Sequence, residues 1–320
     1  MSILRSRYSI GCSNLNHQFQ KVISFRQQSA DNEKVDFQTL CIKIGRSENL
    51  PVLPTVVLNL LRLFGNEDIS SKKFADTIGE DAGLTAKILR VASSPAFGTG
   101  TCENIPRAIG VIGINRMKQI AVSLGYQQFT KEKSQVPEFD KMLFWEHCKA
   151  TSSLSRELMV LVNNSKQDNA FMAGLMHDVG LLAMEKFAPE DLAKSIVHAR
   201  SQTKCLIEAE QEACEYTHKM VSEDLARRWN LAPYIQDAIA NQESPANSMV
   251  DSEICNVVAV ANTLAYEMGY PPIRGVVASH KSEEFLPSLD LTAEQITEVM
   301  DRVNAEVEES KLPANNHRVA

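Results

Sequence analysis

The sequence predicts an all-α protein, a multi-helix bundle of roughly a dozen short to medium helices. Three observations predict it. Apolar residues recur at three- and four-residue spacing through most of the chain. No segment alternates apolar and polar residues as a half-buried strand does, and no internal repeat recurs at a fixed period. Aromatic residues make up only 6%, with 14 Gly and 12 Pro, which suits helices better than a sheet-rich fold.

The chain of 320 residues is long enough for one large domain or two smaller ones. Its net charge of −7 argues weakly against a nucleic-acid binder, although a local basic patch is compatible with it. The seven cysteines (Cys12, Cys41, Cys102, Cys148, Cys205, Cys214 and Cys255) are scattered and form no C-x-x-C pair. They read as reduced thiols of a cytosolic protein. No apolar run approaches the length of a membrane span. Residues 1–30 hold Arg5, Arg7, Lys21 and Arg26 and no acid, so the remainder of the chain holds −11. That start reads as a mobile basic tail, the alternative being an organelle transit segment.

The elements follow in order. Phe37, Leu40, Cys41 and Ile44 share one helical face, with Asp36 as cap. Pro51 and Pro54 bracket an extended turn. From Thr55, the residues Val56, Val57, Leu60, Leu61 and Phe64 keep helical spacing until Gly65. Short helices are expected over 70–78 and 82–92, then the turn-rich loop SSPAFGTGTCENIP, then helices over 106–112 and 115–129. The KEKSQVPE stretch is a solvated loop. Longer helices are expected over 139–162, 169–187, 189–199, 218–229, 233–240 and 252–268, with a short one over 206–214. KSEEFLPSLD reads as a linker. The stripe Ile296, Val299, Met300, Val303 and Val307 marks a last amphipathic helix.

Polar residues inside these apolar helices are the candidate functional groups, because a buried polar group must be satisfied. His147 lies in FWEHCKATSSLS, His177 and Asp178 in NAFMAGLMHDVGLLAM, His218 in HKMVSEDLARRW and Asn262 in VVAVANTLA. Each of four elements presents one such group or a pair, and the economical solution is that several meet. Gly180, beside the His-Asp pair, lets another backbone come close. Trp145 and Trp229 read as core. Cys148, beside His147, lacks the third member and oxyanion device that a nucleophile needs.

The order His, His-Asp, then a further helix with a polar residue resembles the ligand pattern of the HD superfamily of metal-dependent phosphohydrolases. LPVLPTVVLNLLRL, DAGLTAKILRVASSPAFG, AIGVIGINRMKQIAVSL, FWEHCKATSSLSREL and EYTHKMVSEDLARRWNLA add a resemblance to the HDOD branch of that superfamily, covering about residues 46–268. The resemblance implies an N-terminal helical half packed on a degenerate HD-type helical bundle. It divides the chain into a basic tail and lead-in helix at 1–45, an HDOD domain at 46–248 and C-terminal helices at 249–320. The first of those C-terminal helices completes the bundle and the last is an appendage.

Residue by residue, His147, His177 and Asp178 match three metal-ligand positions, and His218 matches a histidine common in the family. Asn262 stands where catalytic members carry their last aspartate. Gln242 and Glu243 replace a His-His pair, and Leu181 replaces the lysine of H-D-x-G-K. Asn262 offers a neutral carbonyl oxygen and removes one negative charge, so His147, His177, Asp178 and Asn262 are expected to be a vestigial or weak metal site. The resemblance therefore implies a bacterial, cytoplasmic signal-transduction module without catalytic residues, acting through protein partners and not on nucleic acid or membrane. No cofactor is expected beyond a weakly bound Fe, Mn or Zn ion. The alternatives are a metal-dependent phosphohydrolase acting on a nucleotide or cyclic dinucleotide, and a sensor that binds a nucleotide without turnover. Relatives often carry receiver or cyclic-dinucleotide domains. None is legible here, so such input is expected from a separate protein.

Overall fold

The computed structural model describes residues 36–46, 52–64, 70–94, 97 and 100–311. The basic segment 1–30 and the Gly65 helix stop fall outside them. Among the described residues the fold is all-α: no strand forms, and the one β-type contact is an isolated bridge between Cys205 and Val277.

The N-terminal half holds α1 (Phe37–Arg46), α2 (Thr55–Phe64), α3 (Ser71–Gly79), α4 (Ala82–Ala92), α5 (Ile105–Ile112) and α6 (Ile114–Thr130). Short polar side chains start four of them. Asp36 accepts from the Thr39 amide, Ser70 from Lys73, Asp81 from Leu84 and Asn104 from Arg107. The predicted stripes are the buried ones: Leu40, Cys41 and Ile44 on α1, and Val56, Val57, Leu60 and Leu61 on α2. Helix α6 ties this half to the next. Its fully buried Tyr126 sits 6.4 Å from the Phe144 ring and 5.8 Å from that of Trp145.

The second half begins with the 23-residue α7 (Lys141–Asn163), capped by Asp140. It continues through α8 (Gln167–Met176), α9 (Gly180–Phe187), α10 (Pro189–Gln202), α11 (Leu206–Cys214), α12 (His218–Arg228), α13 (Pro233–Asn241) and α14 (Ser252–Glu267). Ala150, Leu154, Leu158, Ala170, Ala173, Val257, Val258 and Ala261 join α7, α8 and α14 in one core. Helices α7 and α8 approach so closely that a Cβ at Gly174 would lie 2.6 Å from Ser155 Oγ and 3.0 Å from the Thr151 carbonyl. Wherever two helices pack backbone to backbone, glycine removes the obstacle.

Two expectations are corrected. The helix expected over 169–187 is two helices, α8 and α9, joined by a tightened turn at His177–Val179. There, Val179, Leu181 and Leu182 donate to carbonyls three residues back, those of Met176, Asp178 and Val179. The supposed linker KSEEFLPSLD is also ordered. It forms α15 (Ser282–Phe285) and a 3-10 turn at Leu286–Leu289. Ser282 donates from its amide (2.9 Å) and hydroxyl (2.8 Å) to Glu267 at the end of α14, and Leu289 is buried. Charged residues at 281, 283 and 284 hide this docking from a reading of composition.

The last helix, α16 (Ala293–Lys311), docks on the same chain, as its stripe predicts. Ile296, Val299, Val303 and Val307 are buried against α7, α14 and Tyr270, with Met300 partly covered. No helix among the described residues is long and apolar enough to cross a membrane.

Candidate metal centre

The tightened turn between α8 and α9 places two adjacent residues, His177 and Asp178, at one buried point. Gly180 makes that possible. A Cβ there would lie 2.0 Å from the His218 carbonyl oxygen, 2.6 Å from Ser222 Oγ and 2.8 Å from the Ser222 amide. Only glycine lets α9 rest directly on the first turn of α12, and its own amide donates to Ser222 Oγ at 2.8 Å.

From α7, His147 meets the pair. His147 Nε2 lies 3.1 Å from His177 Nε2 and 3.9 Å from Asp178 Oδ2, and His177 Nε2 lies 3.1 Å from Asp178 Oδ2. His147 and His177 are fully buried, and Asp178 is nearly so. Both imidazoles are held from behind. His147 Nδ1–H donates to the Tyr270 carbonyl at 2.7 Å, and His177 Nδ1–H donates to that of Gly174 at 2.8 Å. A nitrogen that donates to a carbonyl carries the proton, so both Nε2 atoms turn bare lone pairs toward one another. That arrangement calls for a cation between them, either a proton shared with Asp178 or a metal ion.

Burial, reinforced by the neighbouring His177, pushes His147 down to about 3, so His147 stays neutral and ligand-competent. Burial raises the Asp178 carboxyl, but His177 and His218 outweigh it and hold the group ionised, well below the usual carboxylate range. His218 runs the other way. Burial lowers it, but the Glu210 and Asp178 carboxylates outweigh burial and keep it an imidazolium. Its Nδ1 lies 2.6 Å from Glu210 Oε2 and its Nε2 lies 3.6 Å from Asp178 Oδ1. Cys148, beside His147, is fully buried, and burial together with Asp178 pushes its thiol well above the ordinary range, which removes it as a nucleophile.

The donor set fits a divalent ion. The three ligating atoms lie within 4.8 Å of one another. Tetrahedral zinc with bonds of 2.0–2.1 Å wants its ligand atoms about 3.3 Å apart. The observed separations of 3.1, 3.1 and 3.9 Å bracket that value. Asn262, on α14, faces His147 with its Oδ1 left without a hydrogen-bond partner. Its neutral oxygen stands beside the triad where a carboxylate would complete the charge.

A small cleft of about 30 Å³ opens from Asp178 past His218, Gln242 and Asn262 to Glu243 and His280 at its mouth. A single water needs roughly 10–15 Å³ on the same scale, so the cleft takes an ion with a water or two. Gln242 donates to Asp178 Oδ1 at 3.1 Å, which fixes its amide orientation and leaves Oε1 unpartnered. Leu181 lies on the wall, fully buried, and no Lys or Arg lines the cleft among the described residues.

The structure thus brings His147, His177, Asp178, Asn262 and His218 together. Three further residues were not identified from the sequence. Glu210 holds His218, and its signal was present: it follows the buried Leu206 by four residues, on the same helical face. Tyr270 acts through its backbone carbonyl, which no residue pattern reveals. His280, just before the segment read as a linker, reaches Glu243 at 3.4 Å and Glu284 at 2.8 Å.

The chain is similar to known proteins in sequence family and in fold. Residues 50–245 match the family model of the HDOD domain. An uncharacterised protein of Treponema pallidum (strain Nichols) is 22% identical over 256 residues, covering 77% of this chain and 49% of the relative. The chain spans about half the length of that relative. Among solved structures, an HDOD domain protein of unknown function from Geobacter sulfurreducens superposes with a TM-score of 0.70 at 20% identity, covering 85% of this chain and 96% of that one. A candidate phosphohydrolase from Shewanella amazonensis SB2B gives 0.63 at 20% identity over 85% and 97%. A candidate signal transduction protein from Marinobacter aquaeolei VT8 gives 0.62 at 18% over 92% and 64%. At these identities the likeness is one of fold. With the family model spanning more than half its length, this chain belongs to the HDOD domain family.

Proposed function

We propose that the protein is a non-catalytic regulatory module of the HDOD type, in which the His147–His177–Asp178 cluster holds a divalent ion as part of the structure and signals pass through protein partners. One observation carries this reading. The triad that would hold a metal is intact, while the groups that would use the metal on a phosphate are replaced. Asn262 offers no charge, Leu181 offers no cation, and among the described residues the cleft wall supplies Asp178 and Glu243 carboxylates with no Lys or Arg. Phosphoryl chemistry depends on cations at the developing charge. A bound divalent ion would supply Lewis acidity there. The residues present would hold such an ion with two imidazoles and one carboxylate, and His218 provides a fixed positive charge against Asp178. A cleft of about 30 Å³ is too small for a nucleotide in this conformation.

The test is turnover. Purified protein loaded with Mn²⁺, Fe²⁺ or Zn²⁺ should not hydrolyse generic phosphodiester, nucleotide or cyclic-dinucleotide substrates. Hydrolysis abolished by His177→Ala would establish the enzyme reading instead. A nucleotide that raises the melting temperature without being cleaved would favour the sensor reading.

A further inference from the structure

Helix α16 lies outside the residues that match the family model, yet it reaches the candidate metal centre through a single residue. Tyr270 follows Gly269, whose φ of 86° ends α14 and turns the chain back. The Tyr270 amide donates to the Ala265 carbonyl at 2.9 Å, which seats the residue on the end of α14. Its carbonyl accepts His147 Nδ1–H at 2.7 Å. Its hydroxyl lies 2.6 Å from Asn304 and 3.0 Å from Glu308 Oε1, both on α16. Its ring is buried in the cluster with Val299, Val303 and Val307. Turning the Asn304 amide lets its Nδ2 donate to the hydroxyl, which then donates to Glu308, so one tyrosine satisfies both partners.

We infer that Tyr270 is a positioning residue for His147, and that through it the docking of α16 and the state of the metal centre are coupled. The chemistry lies in the choice of nitrogen. A carbonyl on Nδ1 forces the tautomer that leaves Nε2 free and aims the ring at the ligand point, as outer-shell carbonyls do for metal-bound histidines. The position of that carbonyl depends on where the Tyr270 side chain is anchored, and α16 is its anchor. Helix α16 also grips α7 near the same histidine. Lys149, two residues after His147, donates to the Glu306 carbonyl at 3.1 Å, and Arg156 pairs with Glu306 at 3.2 Å. A factor that lifts α16 away would loosen both the histidine and the helix that carries it. By reciprocity, a cation that fixes His147 tightens α16. A C-terminal helix that docks and undocks is then the means by which occupancy of a buried centre reaches the surface. The metal limb of this coupling rests on the proposed function above, and the tautomer limb does not.

The test uses the full chain and the variant Tyr270→Phe, which keeps the ring and the carbonyl and removes only the bonds to α16. Long-range ¹H–¹⁵N spectra of the histidine rings report the His147 tautomer without metal. Wild type should show an Nδ1–H tautomer with a slowly exchanging proton. In Tyr270→Phe that proton and the α16 amides should exchange about tenfold faster, the worth of one hydrogen bond to a charged group. Val303→Ala, which loosens α16 while leaving the Tyr270 hydroxyl and its two partners in place, should move the same His147 signal in the same direction. Titrated Zn²⁺ should slow α16 amide exchange in wild type and not in Tyr270→Phe, whose Zn²⁺ dissociation constant should rise at least about threefold. An α16 that loosens while His147 Nδ1–H exchange stays within twofold of wild type would overturn the inference, as would an α16 unaffected by Tyr270→Phe. Should wild type bind no Zn²⁺ while the histidine signal still follows α16, the metal reading falls and the positioning role stands.

Discussion

Gly180→Ala is the smallest change that should disturb both the packing and the site. The added Cβ would sit 2.0 Å from the His218 carbonyl oxygen, where carbon and oxygen rest no closer than about 3.3 Å. Helices α9 and α12 would have to part by about 1.3 Å, and two of the three atoms at fault on α12, the His218 carbonyl and the Ser222 amide, are backbone. Overpacking of this kind costs about 1–3 kcal/mol. Loss of the Gly180 amide bond to Ser222 adds about 1 kcal/mol. Alanine's better helix propensity returns about 0.5–1 kcal/mol. The net loss is about 1–3.5 kcal/mol, a fall in melting temperature of roughly 2–14 °C at about 2–4 °C per kcal/mol. Gly110→Ala is the control. Gly110 lies within α5 with nothing within 4 Å of an added Cβ, so alanine there should stabilise. Thermal unfolding followed by circular dichroism measures both. A Gly180→Ala protein within about 0.5 kcal/mol of wild type would refute the close approach of α9 and α12, since surface substitutions stay inside that margin.

Three further outcomes follow from the same geometry. Asn262→Asp places a second carboxylate beside Asp178, so the metal-free protein should melt lower, and added Mn²⁺, Fe²⁺ or Zn²⁺ should recover the loss; no gain in metal response over wild type would mean that residue 262 does not face the triad. Deleting residues 290–320 uncovers the pocket of Ile296, Val299, Val303 and Val307, each worth about 1.5–3 kcal/mol when fully buried, so the melting temperature should fall; an unchanged value with lost self-association would make that face a partner surface. Asp237 is buried and accepts from Ser248 Oγ (2.6 Å) and the amides of Met249 (3.1 Å), Val250 (3.0 Å) and Asp251 (3.0 Å), and although burial raises its carboxyl, these bonds outweigh burial and hold it far below the usual range. Its contribution is therefore present in full above the unfolded value of about 4 and is lost as pH falls below it. Asp237→Asn should cost stability at pH 7 and flatten the acid limb of a stability–pH curve, and an acid limb as steep as that of wild type would count against the role of this carboxylate.

The helices were legible because their buried faces are written at helical spacing. Most of each stripe is buried: Leu40, Cys41 and Ile44 on α1, Val56, Val57, Leu60 and Leu61 on α2, and Ile296, Val299, Val303 and Val307 on α16. The meeting of His147, His177, Asp178 and Asn262 was legible from polar residues stranded in apolar helices. What escaped was whatever depends on backbone. The turn that splits α8 from α9 is a run of hydrogen bonds to carbonyls three residues back, and His177, Asp178 and Val179 carry no breaker to announce it. The Tyr270 carbonyl is a ligand orienter with no side-chain signature. Glu210 reads as one more acid in the acidic helix IEAEQEAC until its fully buried position opposite His218 is seen. The docking of 281–290 escaped because its charges face solvent while Ser282 and Leu289 make the contacts.

The central claim is that His147, His177 and Asp178 form a centre that binds a divalent ion. Calorimetric titration of Zn²⁺ and Mn²⁺ into the full chain tests it most directly, with His177→Gln alongside to keep the side chain and remove the imidazole. Wild type should bind one ion per chain and His177→Gln should lose that binding. Equal titration curves for the two proteins, or no uptake by either, would contradict the claim.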